Sequence, residues 1–105
     1  MDGGGVAVFQ KRVFTAWRRE GTVYMAEPGG QEIALGQGKD LAVAAGSKGV
    51  YVAWVSASGV QLRAPDASPV TLSNDGAFPA ITVLSDGAVV AAWQEGDSIA
   101  TRRLN

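Results

Sequence analysis

The sequence predicts an all-β protein built from repeated antiparallel units, and three observations support this fold class. The apolar segments are short, about five to seven residues, whereas helices usually run for at least about 10 to 12. They are rich in Val, Ala and aromatic residues, and Val and the aromatics favour strands. Fourteen Gly and four Pro interrupt the 105 residues. The third observation is that one apolar motif ending in Trp recurs at a nearly constant spacing.

The recurring motif sets the length of the repeat. Its copies are "VFTAW" at Val13–Trp17, "VYVAW" at Val50–Trp54 and "VVAAW" at Val89–Trp93, and they align without gaps. Their tryptophans lie 37 and 39 residues apart. A fixed period of this size is typical of proteins that stack one small structural unit several times.

Each copy of the motif lies between two further apolar segments. The preceding segments are "GVAVFQ", "DLAVAAG" and "PAITVLS", and the following ones are "TVYMAE", "VQLRA" and "SIATRRL". Gly21, Gly59 and Gly96 precede the latter and indicate hairpin turns. A fourth strand, at 31–36 and 69–73, completes the first two units. We therefore expect eleven strands, about 2.75 four-stranded units, in one partial domain over 1–105, with units at about 5–36, 40–73 and 79–104, the last lacking its outer strand.

Four-stranded antiparallel units that repeat about every 40 residues are typical of a β-propeller, in which blades pack face to face around an axis. The two strands nearest the axis are covered on both faces and lose their apolar and polar alternation. The middle motif has no polar face, which fits such a strand. The pattern predicts that Val50, Val52 and Trp54 face one neighbouring blade, while Tyr51 and Ala53 face the other.

Composition and charge exclude several functions. The chain has no Cys and no His, so disulfides, thiolate sites, the commonest metal ligand and the commonest general base are absent. A net charge of -1 gives no field that would hold a nucleic acid. No apolar run approaches the roughly 18 residues of a membrane span, and the start of the sequence does not look like a signal peptide. We expect a soluble chain, without a membrane anchor, whose compartment the sequence does not specify.

Two stretches resemble a known family. "FPAITVLSDGAVVAAWQEGDSIATRRL" at 78–104 and "DLAVAAGSKGVYVAWVSASGVQLRA" at 40–64 are similar to blades of the sialidase-like (BNR-repeat-like) propeller superfamily, which occurs in many bacterial proteins. The resemblance extends from about residue 6 to 104. Its members typically have six blades, so the resemblance implies that this chain supplies about half of a ring. Other propeller families with a similar period fit the same pattern.

The Asp-box of this family, Ser-x-Asp-x-Gly-x-Thr-Trp, is only approached by "SNDGAFPA". Ser73 and Asp75 match the box, but Ala77, Pro79 and Ala80 stand where Gly, Thr and Trp belong. The segment also connects a fourth strand to a first strand, rather than a third to a fourth. We interpret it as a turn.

The resemblance also implies a catalytic set that this chain does not carry. Sialidases of this fold hold a substrate carboxylate with three arginines and use a Tyr-Glu pair and an acidic residue. The three predicted inner strands, 6–10, 41–45 and 80–84, contain no Arg, Glu or Asp. The acidic, Gly-containing loops lack the spacing of a calcium loop. We therefore expect no catalytic residue, metal or cofactor in this chain.

The favoured hypothesis is a noncatalytic binding or scaffold module whose ligand is a glycan or a protein. The alternative is part of an exo-sialidase-like glycoside hydrolase whose catalytic residues lie outside this chain. The tryptophans could stack on sugars, but their place in doubly apolar strands favours packing between blades. The loop after each motif shares one end of the units with the connection from each fourth strand to the next first strand. The candidate ligand-facing residues there are Arg18, Arg19, Glu20, Lys39, Asp40, Asn74, Asp75, Glu95 and Asp97.

Three blades leave two blade faces without a neighbour inside the chain. Apolar faces of this kind are covered in stable proteins. We expect either self-association of two copies into a six-bladed ring, or further blades in a longer chain. Nucleic acid and membrane are not expected partners.

Overall fold

The computed structural model describes residues 4–27 and 29–105, and within these ranges every regular element is a β-strand. No helix long and apolar enough to cross a membrane occurs among them. The strands are β1 Gly4–Phe9, β2 Arg12–Arg19, β3 Thr22–Ala26, β4 Ile33–Gln37, β5 Lys39–Gly46, β6 Gly49–Ser56, β7 Gly59–Arg63, β8 Val70–Ser73, β9 Ala77–Val83, β10 Val89–Glu95 and β11 Ser98–Arg103.

The strands form three antiparallel sheets in which sequence neighbours pair. The first sheet has the order β1-β2-β3-β4, the middle sheet β5-β6-β7-β8 and the third sheet β9-β10-β11. All the pairs are antiparallel and consecutive, because each connection is a short turn or loop. The prediction of an all-β chain with eleven strands in groups of four, four and three is confirmed.

The first strands of the middle and third sheets begin earlier than the sequence indicated. Lys39 and Asp40 were expected in the connection before β5, but both belong to that strand. The pairing of β5 with β6 shifts register between Lys39 and Ala42, and Asp40 has a φ of 53°. β9 likewise begins at Ala77. A register shift of this kind bends the strand locally while pairing continues on either side of it.

The three sheets stack face to face, and their first strands lie side by side. β5 packs against β1 on one side and against β9 on the other. The middle sheet is therefore covered on both faces. Its central strand β6 is buried over the whole segment 49–54, which explains why that segment has no polar position.

The side chains of β6 point to the two neighbouring sheets in alternation. Val50, Val52 and Trp54 belong to one buried cluster with residues of the first sheet. Tyr51 and Ala53 belong to a second cluster with residues of the third sheet. Both directions agree with the sequence prediction, because successive side chains of a strand point to opposite faces.

The two buried tryptophans each lie against a glycine that precedes the first strand of a sheet. A Cβ built on Gly38 would be 2.5 Å from Cδ1 of Trp54, and a Cβ built on Gly76 would be 2.5 Å from Cδ1 of Trp93. No ordinary side chain fits in either place. The same contact thus recurs at both junctions between sheets, as expected for a true structural repeat.

Trp17 has a different environment from the other two tryptophans. It lies on the face of the first sheet that points away from the middle sheet, and it is only half-buried. Its ring stacks on the ring of Tyr24, with centroids 5.9 Å apart and an angle of 18° between planes. Trp54 and Trp93, which are 1% and 6% exposed, therefore pack between sheets as predicted. Trp17 has no neighbouring sheet to pack against.

Candidate binding site

Arg18 and Lys39 come together at the end of the sheets where the sequence placed a binding surface. The guanidinium Nε of Arg18 donates a hydrogen bond of 2.8 Å to the Gly38 carbonyl oxygen, which holds the β2–β3 hairpin against the start of β5. Both residues line an open cleft of about 430 Å³ between the first and middle sheets. Gln37 and Ser56 add an amide and a hydroxyl to its wall.

Arg19 points away from this cleft. Its two terminal nitrogens bond to the two carboxylate oxygens of Glu32, at 2.7 and 3.2 Å, and its guanidinium lies 4.5 Å over the ring of Tyr24. The hydrogen bond to Glu32, followed by that to Tyr24, raises the pKa of Arg19. Arg19 thus lies on the face of the first sheet that points away from the middle sheet, and its guanidinium is paired there. Glu20 occupies the neighbouring turn with a φ of 51° and is exposed.

Asp75 and Glu95 meet at the hydroxyl group of Ser73. The Ser73 Oγ atom lies 2.5 Å from Glu95 Oε1 and 3.5 Å from Asp75 Oδ1, so its single proton goes to Glu95. The Ser73 hydrogen bond, and after it the one from Trp93 Nε1, lowers the pKa of the Glu95 carboxyl. Gly76 N–H donates to Ser73 Oγ at 3.1 Å. These hydrogen bonds stabilise the bend between Ser73 and Gly76 and favour the ionised form of Glu95.

The remaining candidates at this end do not join a common site. Asp40, Asn74 and Asp97 are exposed. Across residues 4–27 and 29–105, no group of three or more His, Cys, Asp or Glu side chains is arranged to hold a metal ion. The predicted binding surface therefore consists of one open cationic cleft and separate structural contacts.

A more enclosed cleft of about 350 Å³ lies at the opposite end of the same two sheets. We call it the Phe14 cleft. Its size falls within the usual range for a ligand pocket, about 300 to 1,000 Å³. The apolar side chains that line it are Phe9, Phe14, Met25, Ile33, Val50 and Pro65, and its charged side chains are Arg12, Glu27, Lys48, Arg63 and Asp66.

The wall of the Phe14 cleft on the first sheet is held by aromatic and ionic contacts. Phe9 and Phe14 pack edge to face, with centroids 6.4 Å apart and planes at 60°. The Arg12 guanidinium lies 5.9 Å over the Phe14 ring, and its Nη2 is 3.3 Å from Glu27 Oε2. Arg12 thus covers an aromatic wall and neutralises the one glutamate there.

The opposite wall brings two further cations to the rim. Lys48 lies in the β5–β6 turn, and Arg63 ends β7. Within the described part of the chain, neither forms an ion pair. Asp66, in the β7–β8 loop, has a φ of 57° and is exposed.

Sequence reasoning missed this cleft, although a signal for it was available. The charged residues of "QKR", "SKG" and "LRAPD" flank the β1–β2 turn, the β5–β6 turn and the β7–β8 loop. In antiparallel sheets alternate connections share one end. The same rule that grouped the loops after the tryptophans therefore also groups these residues at the other end.

Three comparisons, with family models, curated proteins and solved structures, gave no match to this chain. Function is therefore inferred from the two clefts and the side chains that line them.

Proposed function

We propose that this chain is a noncatalytic binding module of the sialidase-like β-propeller type, and that it binds a protein partner in the Phe14 cleft. The propeller interpretation is supported by three successive antiparallel sheets that pack face to face with their first strands adjacent. In a propeller these first strands would surround the axis. The fold does not by itself assign an activity, so the binding role rests on the side chains of the cleft.

The observation that carries the binding role is the combination of an apolar wall with unpaired cations. Phe9 and Phe14 offer an apolar surface at the edge of the buried cluster between the sheets. Lys48 and Arg63 stand at its rim without an internal acidic partner among the described residues. An apolar pocket with a few charged groups at its margin is the usual form of a specific binding site.

These side chains favour a protein segment that presents an apolar side chain flanked by acidic residues. The apolar side chain would cover Phe9 and Phe14, and the carboxylates would pair with Lys48 and Arg63. Charge complementarity at a rim mainly contributes association rate and specificity, while the apolar contact contributes most of the binding free energy.

The acidic groups of the cleft support a noncatalytic role. A carboxyl group that acts as a general acid usually lies in an enclosed, apolar environment. Glu27 is instead paired with Arg12, and its side chain is 50% exposed. Asp66 is exposed on a loop. The two carboxylates are thus arranged as surface charges and not as an acid and base pair.

Chemical-shift mapping with short peptides tests this proposal. We expect acetyl-Asp-Phe-Asp-amide to shift amide resonances near residues 48–50 and 63–66, and acetyl-Lys-Phe-Lys-amide to shift them much less. The double variant Lys48→Ala and Arg63→Ala should weaken binding of the acidic peptide by about tenfold, since each exposed ion pair contributes up to about 1 kcal/mol. Lys39→Ala, at the other end, is the matched control and should bind as the unmodified protein does.

Three results would contradict the proposal. The first is the absence of shifts with the acidic peptide. The second is a set of shifts confined to the Arg18 and Lys39 cleft, or produced there only by sialyllactose, which would favour a glycan ligand at the other end. The third is hydrolysis of a fluorogenic sialoside by this chain, which would contradict a noncatalytic role.

A further inference from the structure

Two sheet faces of this chain have no neighbouring sheet. Their residues are equivalent to those on the two sides of the contact that the middle sheet makes with the first sheet and again with the third. The first face is the side of the first sheet that points away from the middle sheet. The last face is the side of the third sheet that points away from the middle sheet. We propose that the first face of one copy packs against the last face of a second copy of this chain, an inference that rests on the propeller-type packing proposed above.

Residues of the first face are the structural equivalents of buried residues in the other sheets. Val13 begins the first copy of the motif, as Val50 and Val89 begin the second and third. Val50 and Val89 are 4% and 0% exposed, because each faces the preceding sheet, whereas Val13 is 48% exposed. A residue that is buried at two of three equivalent positions lacks its neighbour at the third.

Val6, on strand β1 of the first face, gives the same result. Val6 pairs with Thr15 as Val43 pairs with Val52, so Val6 and Val43 are equivalent. Val43 packs against the buried cluster between the first and middle sheets, whereas Val6 is 64% exposed. The first face therefore presents an apolar surface of the kind that the middle sheet buries against the first.

The last face carries a residue that is equivalent to buried residues on the opposite side of the two internal contacts. Ile99 pairs with the residue after Trp93, Val60 with the residue after Trp54, and Val23 with the residue after Trp17, so these three aliphatic side chains are equivalent. Val23 and Val60 are 0% exposed, whereas Ile99 is 69% exposed.

The two existing interfaces identify the group that covers this position. Val23 shares a buried cluster with Trp54 of the next sheet. Val60 shares a buried cluster with Trp93 of the next sheet. Each aliphatic side chain is thus covered by the motif tryptophan of the sheet that follows it. By the same relation Ile99 is covered by Trp17, and since both belong to exposed faces of this chain, the Trp17 comes from a second copy.

The number of copies follows from the usual number of blades in a propeller. The first face meets the last face, so the contact is heterologous and must close into a ring to leave no face exposed. Two copies give six sheets, within the usual range of about four to eight blades for a propeller, whereas three copies would give nine. The expected assembly is therefore a closed dimer with two identical contacts.

Sedimentation velocity of single-site variants tests the contact. We expect the unmodified protein to sediment as a dimer at micromolar concentration. Ile99→Lys on the last face and Val6→Glu on the first face should each weaken the dimer by at least about tenfold. Val70→Lys is the matched control, because Val70 is 53% exposed on the outer-edge strand β8 and belongs to neither face. Circular dichroism of every variant checks that the strands remain.

Mixing the two disrupted variants tests the head-to-tail arrangement. The Ile99→Lys copy keeps an intact first face, and the Val6→Glu copy keeps an intact last face, so a mixture should form a heterodimer through one native contact. The opposite charges at the second contact avoid like-charge repulsion. Native mass spectrometry distinguishes this heterodimer from either homodimer by mass.

Four outcomes would overturn the proposal. These are a folded monomer of the unmodified protein, which would leave the faces to further sheets of a longer chain; an Ile99→Lys dimer of unchanged affinity; dissociation by Val70→Lys; and a failure of the mixed variants to associate. None of them depends on peptide binding in the Phe14 cleft, which is measured separately. A monomer that binds the acidic peptide would overturn only the dimer, and a dimer that does not bind it only the proposed function.

Discussion

Trp93 Nε1 donates a hydrogen bond of 3.0 Å to Glu95 Oε1, two residues further along the same strand. The same oxygen receives the Ser73 hydroxyl at 2.5 Å. One carboxylate oxygen therefore joins the end of the middle sheet to the central strand of the third sheet, beside a buried tryptophan. Hydrogen bonds to an ionised carboxylate are stronger than those between neutral groups, so this contact depends on the charge of Glu95.

The charge of Glu95 should make the free energy of unfolding depend on pH. The Ser73 hydrogen bond, and then that of Trp93, lowers the pKa of Glu95 below its ordinary value of 4.5. A group whose pKa is lower in the folded state contributes stability above its unfolded pKa, and this contribution is lost as the pH falls through the folded value. We expect the unfolding free energy, measured in urea from neutral to acidic pH, to fall less steeply in Glu95→Gln. Parallel pH profiles for the two proteins would contradict this role.

Trp54 should be a main source of stability because it is 1% exposed between the first and middle sheets. Trp54→Ala removes this side chain from a buried cluster and leaves a cavity, at a cost of roughly 3 to 5 kcal/mol. Val70→Ala, on the exposed outer edge of the middle sheet, should change the unfolding free energy by only about 0.5 kcal/mol. Urea unfolding followed by circular dichroism measures both values. Near-normal stability of Trp54→Ala would contradict packing between sheets.

Gly76 should tolerate no larger side chain. A Cβ at this position would lie 2.5 Å from Trp93 Cδ1 and 2.9 Å from Val60 Cγ2. We expect Gly76→Ala to lower the unfolding free energy by about 1 to 3 kcal/mol, because the buried tryptophan must move. The control is Gly96→Asn, since Gly96 has a φ of 57°, which Asn accepts, and open space around it. Thermal melts of equal midpoint for the two variants would exclude the steric explanation.

The ion pair between Arg12 and Glu27 should contribute little to stability. Both side chains are about half exposed, at 54% and 50%, and the closest nitrogen and oxygen atoms are 3.3 Å apart. Exposed pairs of this kind contribute up to about 1 kcal/mol and are screened by salt. A double-mutant cycle with Arg12→Ala and Glu27→Ala, measured at low and high salt, should give a coupling energy below about 1 kcal/mol that decreases with salt. A larger, salt-independent coupling would contradict this assignment.

Local patterns in the sequence were sufficient to predict the strands and the two directions of β6. The motif that ends in Trp54 has no polar position, and such a strand must be covered on both faces. The same patterns could not fix where β5 and β9 begin, because both strands start with irregular backbone: Asp40 and Phe78 have positive φ, and the pairing of β5 shifts register after Lys39.

The two clefts at the ends of the sheets were the least predictable features. The sequence places Arg18 and Arg19 side by side, but in a strand adjacent residues point to opposite faces, and only Arg18 reaches a cleft. The Phe14 cleft combines residues from two sheets that lie far apart along the chain. Such a combination is visible only when the stacking of the sheets is known.

By itself, the sequence determined that this protein consists of three repeated antiparallel units, the middle one with a central strand that is apolar on both faces. Strand period, turn residues and repeat length are local properties of the chain. Only the tertiary structure decided which equivalent residues are covered. Val60 and Ile99 occupy the same place in their units, yet one is fully buried and the other is 69% exposed. The difference arises because burial depends on the neighbouring sheet and not on the residue itself.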